Sequence, residues 1–490
     1  MINKNLMKFQ SYLYLIIGFI FLLFTNGPLL LPIAVFIAPI FLIRFMRFHK
    51  PWLGFLLLLP VGWISNIVVW KNMMPINGIF FFIITFQLSL FVALVYLADR
   101  IYTKKFDGFI STFVFPSAFV LLEFILVYAI PAGTIGKLAH TQSSLVLMQL
   151  LSLTGIWGIT FIITWTASVI NWLWDNHFEI PFNKKAALYY GIPVFLILLF
   201  GQIRLQLDKQ NTETVKIASI IYDRNDAKSI KSLNDIADFE ILSAQMGERF
   251  INNCDIAIQS GAKIIFGQEQ LLHFWYEDLT GFIDTIKHFT INNDVYIGLS
   301  LSVITQDVRE KNLPAENKII WISPKGEILI DYYKAKPVYG PRIYGDGKLH
   351  YFDTPYGRMS TAICFDMDFL QVVNQIKDKR VDIMLVSAND FKEVTPYHTF
   401  LTSARAIEQG FNLVRPTGHG LSAAFDNKGQ IISKLNFFEN TETIMYSDVP
   451  TKGIKTVYAV LGDYFAYLCM LFFLTISFII IFKRKIISNK

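Results

Sequence analysis

Eight apolar runs, seven in the first 207 residues and one at the far end, constrain this chain more than any other feature. About 20 apolar residues carry a helix across the hydrocarbon core of a bilayer. The runs Phe9 to Asn26, Pro28 to Ile43, Trp52 to Trp70, Gly78 to Leu97, Phe109 to Ile130, Gly155 to Trp174, Ala187 to Ile203 and Val457 to Phe482 reach or approach that length. The second is short and carries Pro32 and Pro39. The first is not expected to be a cleaved signal peptide, because no small-residue cleavage site follows it and further runs come at once. Only 17% of residues are charged, against roughly 25% in soluble globular proteins, so the chain is not wholly soluble.

Basic residues between the runs give an orientation. Lys4 and Lys8; Arg44, Arg47 and Lys50; Arg100, Lys104 and Lys105; Lys184 and Lys185; and Lys483, Arg484 and Lys485 fall on one side if all eight runs span. Opposite loops carry little beyond Lys71 and Lys137. The positive-inside rule makes that side cytoplasmic, with both termini. The long segment before the last run is then extracytoplasmic, which in a bacterium with an inner membrane is periplasmic. The net charge of +6 is spent on this topology, so nucleic acid is not an expected partner. Three cysteines, Cys254, Cys364 and Cys469, exclude a disulfide-rich scaffold.

Three regions follow: 1–207 as a membrane domain of about seven transmembrane helices, 211–452 as an extracytoplasmic domain, and 456–490 as a last span with a basic cytoplasmic tail. In the middle region, short β-branched runs alternate with amphipathic stretches. Strands are expected at Val215 to Tyr222, Lys263 to Phe266, Val295 to Val303, Lys318 to Ile322, Ile328 to Tyr333, Met359 to Ile363, Ile383 to Ser387, Asn412 to Arg415 and Leu421 to Phe425. Helices are expected at Phe239 to Gln259, Leu279 to Asn292, Phe369 to Lys377 and His398 to Gln409. Turns at Pro324-Lys325-Gly326, Pro355-Tyr356-Gly357 and Asn427-Lys428-Gly429 close hairpins. The pattern describes an α/β domain with two layers of sheet covered by helices.

Glu269, Lys334 and Cys364 each follow a predicted strand, and strand ends can bring distant residues to one sheet edge. A carboxylate could remove the thiol proton, the thiolate attack an acyl carbon, and an ammonium stabilise the thiolate and the oxyanion. Taken singly, Cys364 reads as a small buried hydrophobe and the other two as solvated strand-end charges. Lys336 competes for the lysine role. HExxH, paired CxxC, Walker and GxSxG patterns are missing, so no metal or other cofactor is expected. Glu123, within the fifth run, is either a carboxyl hydrogen-bonded to a neighbouring helix or part of a polar cleft that helps dock a substrate headgroup or orders the sixth span beneath the active site.

The segments Gly261-Ala262-Lys263-Ile264-Ile265-Phe266-Gly267-Gln268-Glu269, Tyr332-Tyr333-Lys334 and Thr361-Ala362-Ile363-Cys364-Phe365-Asp366 resemble the carbon-nitrogen hydrolase (nitrilase) superfamily. So do His398, Ala404 to Glu408 and Thr417 to Ala423. Together with the spans, and with Gln149, Ser152, Gly155, Gly158, Phe161 and Asn171 at the sixth, they resemble its apolipoprotein N-acyltransferase family. The resemblance implies an αββα sandwich and a Glu269-Lys334-Cys364 triad. It implies a phospholipid acyl donor, a thioester on Cys364, and a diacylglyceryl-modified lipoprotein acceptor. Gln268 replaces the family's usual proline, and Asp366 its glutamate two residues after the cysteine. Arg342 stands where another family glutamate is expected. A membrane-bound amidase and a catalytically silent lipid- or lipoprotein-binding relative are the alternatives.

Overall fold

The computed structural model describes residues 2–76, 78–106, 108–207, 213–222, 236–307, 315–338, 345–440 and 443–488. The chain forms two compact units, one of Met1–Leu207 with Leu461–Lys490 and one of Asp208–Val460.

In the first unit the apolar runs become helices: α1 (Ile2–Leu22), α2 (Ala34–Phe48), α3 (Pro51–Trp70), α4 (Ile79–Tyr102), α5 (Phe109–Ala129), α6 (Ile156–Asp175), α7 (Ile180–Gln206) and, after the second unit, α11 (Tyr464–Ser488). Among the described residues, six of them, α3 to α7 and α11, are long and apolar enough to cross a membrane. α2 has 15 residues, starts later than the proline-bearing run, and is enclosed by neighbours along most of its length. The final run is interrupted at Gly462, whose φ of +61° breaks the helical path, so α11 begins at Tyr464 and not near Val457.

Several polar side chains inside this unit find protein partners, as the scarcity of water there favours. Asn171 on α6 donates to the Ile40 carbonyl on α2 at 2.9 Å. Asp463 accepts from Trp157 Nε1 at 2.6 Å and from the Tyr128 hydroxyl, tying the start of α11 to α6 and α5. Glu123 is buried on α5; its Oε1 accepts from Leu138 N at 2.8 Å and its Oε2 from the Thr160 hydroxyl of α6 at 2.6 Å. That arrangement favours the structural reading of Glu123. A glutamine offers one acceptor oxygen in place of two, so Glu123→Gln should cost about 1–3 kcal/mol, the penalty for one unsatisfied buried polar group. The unfolding midpoint of the detergent-purified chain would show it, and an unchanged midpoint would deny these bonds any weight.

The second unit is an αββα sandwich. Its strands are β1 (Thr214–Ile220), β2 (Ile264–Gly267), β3 (Leu272–Trp275), β4 (Tyr296–Ile304), β5 (Glu316–Ile322), β6 (Ile328–Tyr333), β7 (Tyr351–Thr354), β8 (Gly357–Ile363), β9 (Ile383–Asn389), β10 (Asn412–Arg415), β11 (Thr417–Gly418), β12 (Leu421–Phe425), β13 (Ile431–Asn436) and β14 (Ile444–Pro450). One sheet has the order β14-β1-β2-β4-β5-β6 with β3 beside β4; the other runs β13-β12-β10-β9-β8-β7 with β11 beside β9. The three expected turns close the antiparallel β5/β6, β7/β8 and β12/β13 hairpins.

Alternate side chains of the first sheet enter two different cores. Val215, Ile217, Ile264, Phe266, Ile319 and Trp321 face the second sheet. Ala218, Ile220, Ile265, Ile320 and Ile322 face away, toward Phe250, Cys254, Leu279 and Ile286 of helices α8 (Ile236–Gln259) and α9 (Tyr276–Asn293). Burial on both faces explains why these strands read as continuous apolar runs and not as alternating ones. On the far side, α10 (Tyr397–Gln409) covers the second sheet with Leu401, Ala404 and Ile407 buried. The helix expected over Phe369 to Lys377 is shorter: one turn at Leu370–Val373 and a 3-10 turn at Asn374–Ile376.

Candidate active site

β5 is antiparallel to both β4 and β6, and β4 is parallel to β2, so β2 and β6 run the same way. Glu269 and Lys334 therefore leave the first sheet at one edge. The Lys334 ammonium lies 2.5 Å from Glu269 Oε1, and both side chains are more than nine-tenths buried. Asn317 on β5 joins them: its carbonyl accepts from Lys334 N at 2.9 Å, and its Nδ2 donates to Glu269 Oε1 at 2.6 Å. Nothing in the sequence marked Asn317, which sits between Glu316 and Lys318 at the polar start of β5.

Cys364 follows β8 and opens the 3-10 turn Cys364–Asp368 with φ +47°, a conformation rare for a residue with a side chain. Such strain at the end of a strand holds a side chain out of the sheet ladder. Sγ lies 3.7 Å from the Asn389 carbonyl at the end of β9, and the residue before it, Ala388, accepts from Glu269 N at 3.1 Å. Two consecutive carbonyls of one strand end thus set both Glu269 and Cys364, which come from different sheets. Burial, then Glu269, pushes the Cys364 thiol well above its ordinary value; Lys334 and Arg415 only partly oppose this. The resting sulfur is a neutral thiol. Lys334 is disfavoured by burial, but Glu269, Cys364 and Asp366 outweigh that and hold it protonated.

Asp366 accepts from Lys336 N at 2.7 Å, from the Tyr332 hydroxyl at 2.7 Å and from Ile363 N at 3.0 Å. It sews the cysteine turn to the end of β6, and burial raises its carboxyl to about 6 against the pull of Lys334. Gln268 makes a two-point amide clamp on Tyr222, Oε1 to its N–H and Nε2 to its carbonyl, both at 3.1 Å. Arg342 lies outside the described residues. Lys336 does not share the carboxylate of Glu269: its ammonium stands 5.0 Å from the centroid of the Phe369 ring. Lys336→Ala is expected to lower turnover only a few-fold, by about 1 kcal/mol from the lost cation–π contact. A larger loss than in Lys334→Ala, measured under the same conditions, would exchange the two lysines. Cys254 packs between helix and sheet and Cys469 lies on α11; all three cysteines are free.

One further group surrounds the sulfur. Cys364 Sγ, an Asp390 oxygen and a His398 nitrogen lie within 4.8 Å of one another. As a cation site these donors do not fit, because the Asp390 oxygens accept from Arg415 at 3.0 and 3.1 Å and the guanidinium stands 3.0 Å from His398 Nδ1. Any arriving metal would meet that fixed positive charge.

Residues 231–458 match the family model for carbon-nitrogen hydrolases. Apolipoprotein N-acyltransferase 1 of Treponema denticola is 23% identical over 449 residues, covering 78% of this chain and 80% of that protein. The apolipoprotein N-acyltransferase of Photobacterium profundum is 32% identical over 131 residues, 26% of this chain and 25% of that protein. Among solved structures, an amidase from Nesterenkonia sp. is similar at 14% identity, over 52% of this chain and 96% of that one, with a TM-score of 0.38.

Proposed function

We propose that this bacterial membrane protein, which carries a carbon-nitrogen hydrolase domain and resembles apolipoprotein N-acyltransferases over most of its length, N-acylates the terminal diacylglyceryl-cysteine of lipoproteins. The observation that carries the reading is the buried Lys334–Glu269 pair beside a strained, protonated Cys364.

In the first half-reaction Glu269 takes the Sγ proton as sulfur bonds to the ester carbon of a phospholipid. Lys334 and backbone N–H groups near Cys364 hold the oxyanion. Collapse breaks the carbon–oxygen bond, Glu269 returns the proton to the departing lysophospholipid alcohol, and a thioester remains on Cys364. The acceptor's neutral α-amine then attacks the thioester carbon and loses a proton to Glu269. The carbon–sulfur bond breaks, the thiol is reprotonated and an amide is released. Keeping one carboxyl as base and then acid fits a general catalyst used twice per step. No cofactor takes part in this sequence. The donor and acceptor are both held in a bilayer, which gives the membrane helices a purpose; the catalytic domain faces outward and both termini face the cytoplasm.

Mass spectrometry of lipoprotein amino termini tests the reading. Cells with the protein should carry an amide-linked acyl chain on the terminal cysteine, and cells without it a free α-amine. Release of free fatty acid or ammonia without amide-linked chains would favour the hydrolytic amidase.

A further inference from the structure

His398 has no part in the steps above, yet it touches both segments that flank the thiol. Its Nε2 lies 2.7 Å from Asp368 Oδ2, on the turn that begins at Cys364. Its Nδ1 lies 2.7 Å from Asp390 Oδ1, one residue beyond the Asn389 carbonyl that faces Sγ. The two carboxylates are both satisfied when each ring nitrogen carries hydrogen, although the Arg415 guanidinium, only a donor, also stands 3.0 Å from Nδ1 and works against that charge. Burial, and after it Arg415, oppose that charge, but Asp368 and Asp390 outweigh them and lift the ring to about 9.

The rest of the cluster is arranged to tolerate a buried cation here. Arg415 grips both oxygens of Asp390 and donates to the hydroxyls of Thr399 and Thr417. Two carboxylates and two cations leave the group without net charge, which is the condition under which buried ions persist. The charged or titratable groups facing the ring are Asp368 from the cysteine turn, Asp390 from the end of β9, Arg415 from β10, and the Cys364 thiol.

We propose that His398, as an imidazolium bridging Asp368 and Asp390, is a positioning residue that fixes the cysteine turn against the end of β9 and so sets the reach of Sγ toward the acyl carbon. The proposal rests on Cys364 as the nucleophile. The bridge is whole below the free imidazole's value near 6.5 and is lost as pH rises through about 9. A filler that only occupied space would change stability without imposing that pH dependence on the thiol's chemistry.

The test uses the full chain in detergent micelles of mixed phosphatidylethanolamine and phosphatidylglycerol, with the Cys364 thioester followed by peptide mass spectrometry. His398→Gln can donate to one carboxylate but not both. At neutral pH it should slow thioester formation about tenfold to a hundredfold with little change in KM for phospholipid, the effect of a small misplacement of a reacting atom. Asp368→Asn should move the alkaline loss of activity down by about one pH unit or more, as one attracting charge is removed. Histidine-selective NMR of the unmutated chain reads the ring directly and needs no variant to fold: one ring should titrate near 9. Parental rates in His398→Gln, an unmoved alkaline limb in Asp368→Asn, or a His398 ring titrating at its ordinary value would overturn the proposal. A shifted ring in a chain whose Cys364 never carries an acyl group would instead overturn Cys364 as nucleophile.

Discussion

The Cys364→Ser chain should insert into membranes at parental levels and yet transfer acyl groups at least roughly four orders of magnitude more slowly, the scale on which loss of a nucleophile is felt. Serine keeps the size of the side chain and the φ of +47°, so the turn and the buried contacts around it survive. An alcohol, however, is a far weaker nucleophile than a thiol losing its proton to a carboxylate. Peptide mass spectrometry after incubation with labelled phospholipid should find the acyl group on Cys364 in the parent and nowhere in the variant. Cys254→Ser should behave as the parent, because Cys254 packs in the helix-facing core of the first sheet. Acyl label on Cys254 would reassign the site.

Glu269→Gln should slow thioester formation by about two to four orders of magnitude, the usual share of a positioned general base. The amide nearly matches the carboxylate in shape and can still accept from Lys334 and Asn317, whose donors lie 2.5 and 2.6 Å from Oε1. What it cannot do is take the proton from a thiol that burial keeps neutral. Lys334→Ala is a harsher change, leaving Glu269 buried without its cation, and breaking such a pair costs about 3–5 kcal/mol. Activity should therefore fall in both variants, with the unfolding midpoint dropping clearly only in Lys334→Ala. Near-parental acylation by Glu269→Gln would mean that another group serves as the base.

Local features of this protein were the legible ones. The apolar runs, the strand-end places of Glu269, Lys334 and Cys364, and the three hairpin turns each depend on a few neighbouring residues. Contacts made across long stretches of chain were not. Asn317 meets Glu269 across 48 residues, and Ala388 accepts from the Glu269 amide across the gap between two sheets. His398 was noticed only through resemblance; its tie to Asp368 requires a fold that returns α10 to the cysteine turn. β14 was missed although Ile444, Met445 and Val449 are apolar, because its pairing with β1 joins the two ends of the domain. The helix expected after Cys364 came out too long because residues 374–376 tighten into a 3-10 turn.

The neutral state of the Cys364 sulfur bears on how long such a protein lasts. Oxidation to sulfenic and then irreversible sulfinic acid follows thiolate character and exposure. On the proposed extracytoplasmic placement, no thioredoxin or glutathione pool would reduce the first of these products. With Cys364 only 4% exposed and its thiol kept neutral by burial, the sulfur offers peroxide little to attack. The same burial that makes the resting thiol sluggish is then a form of shelf life.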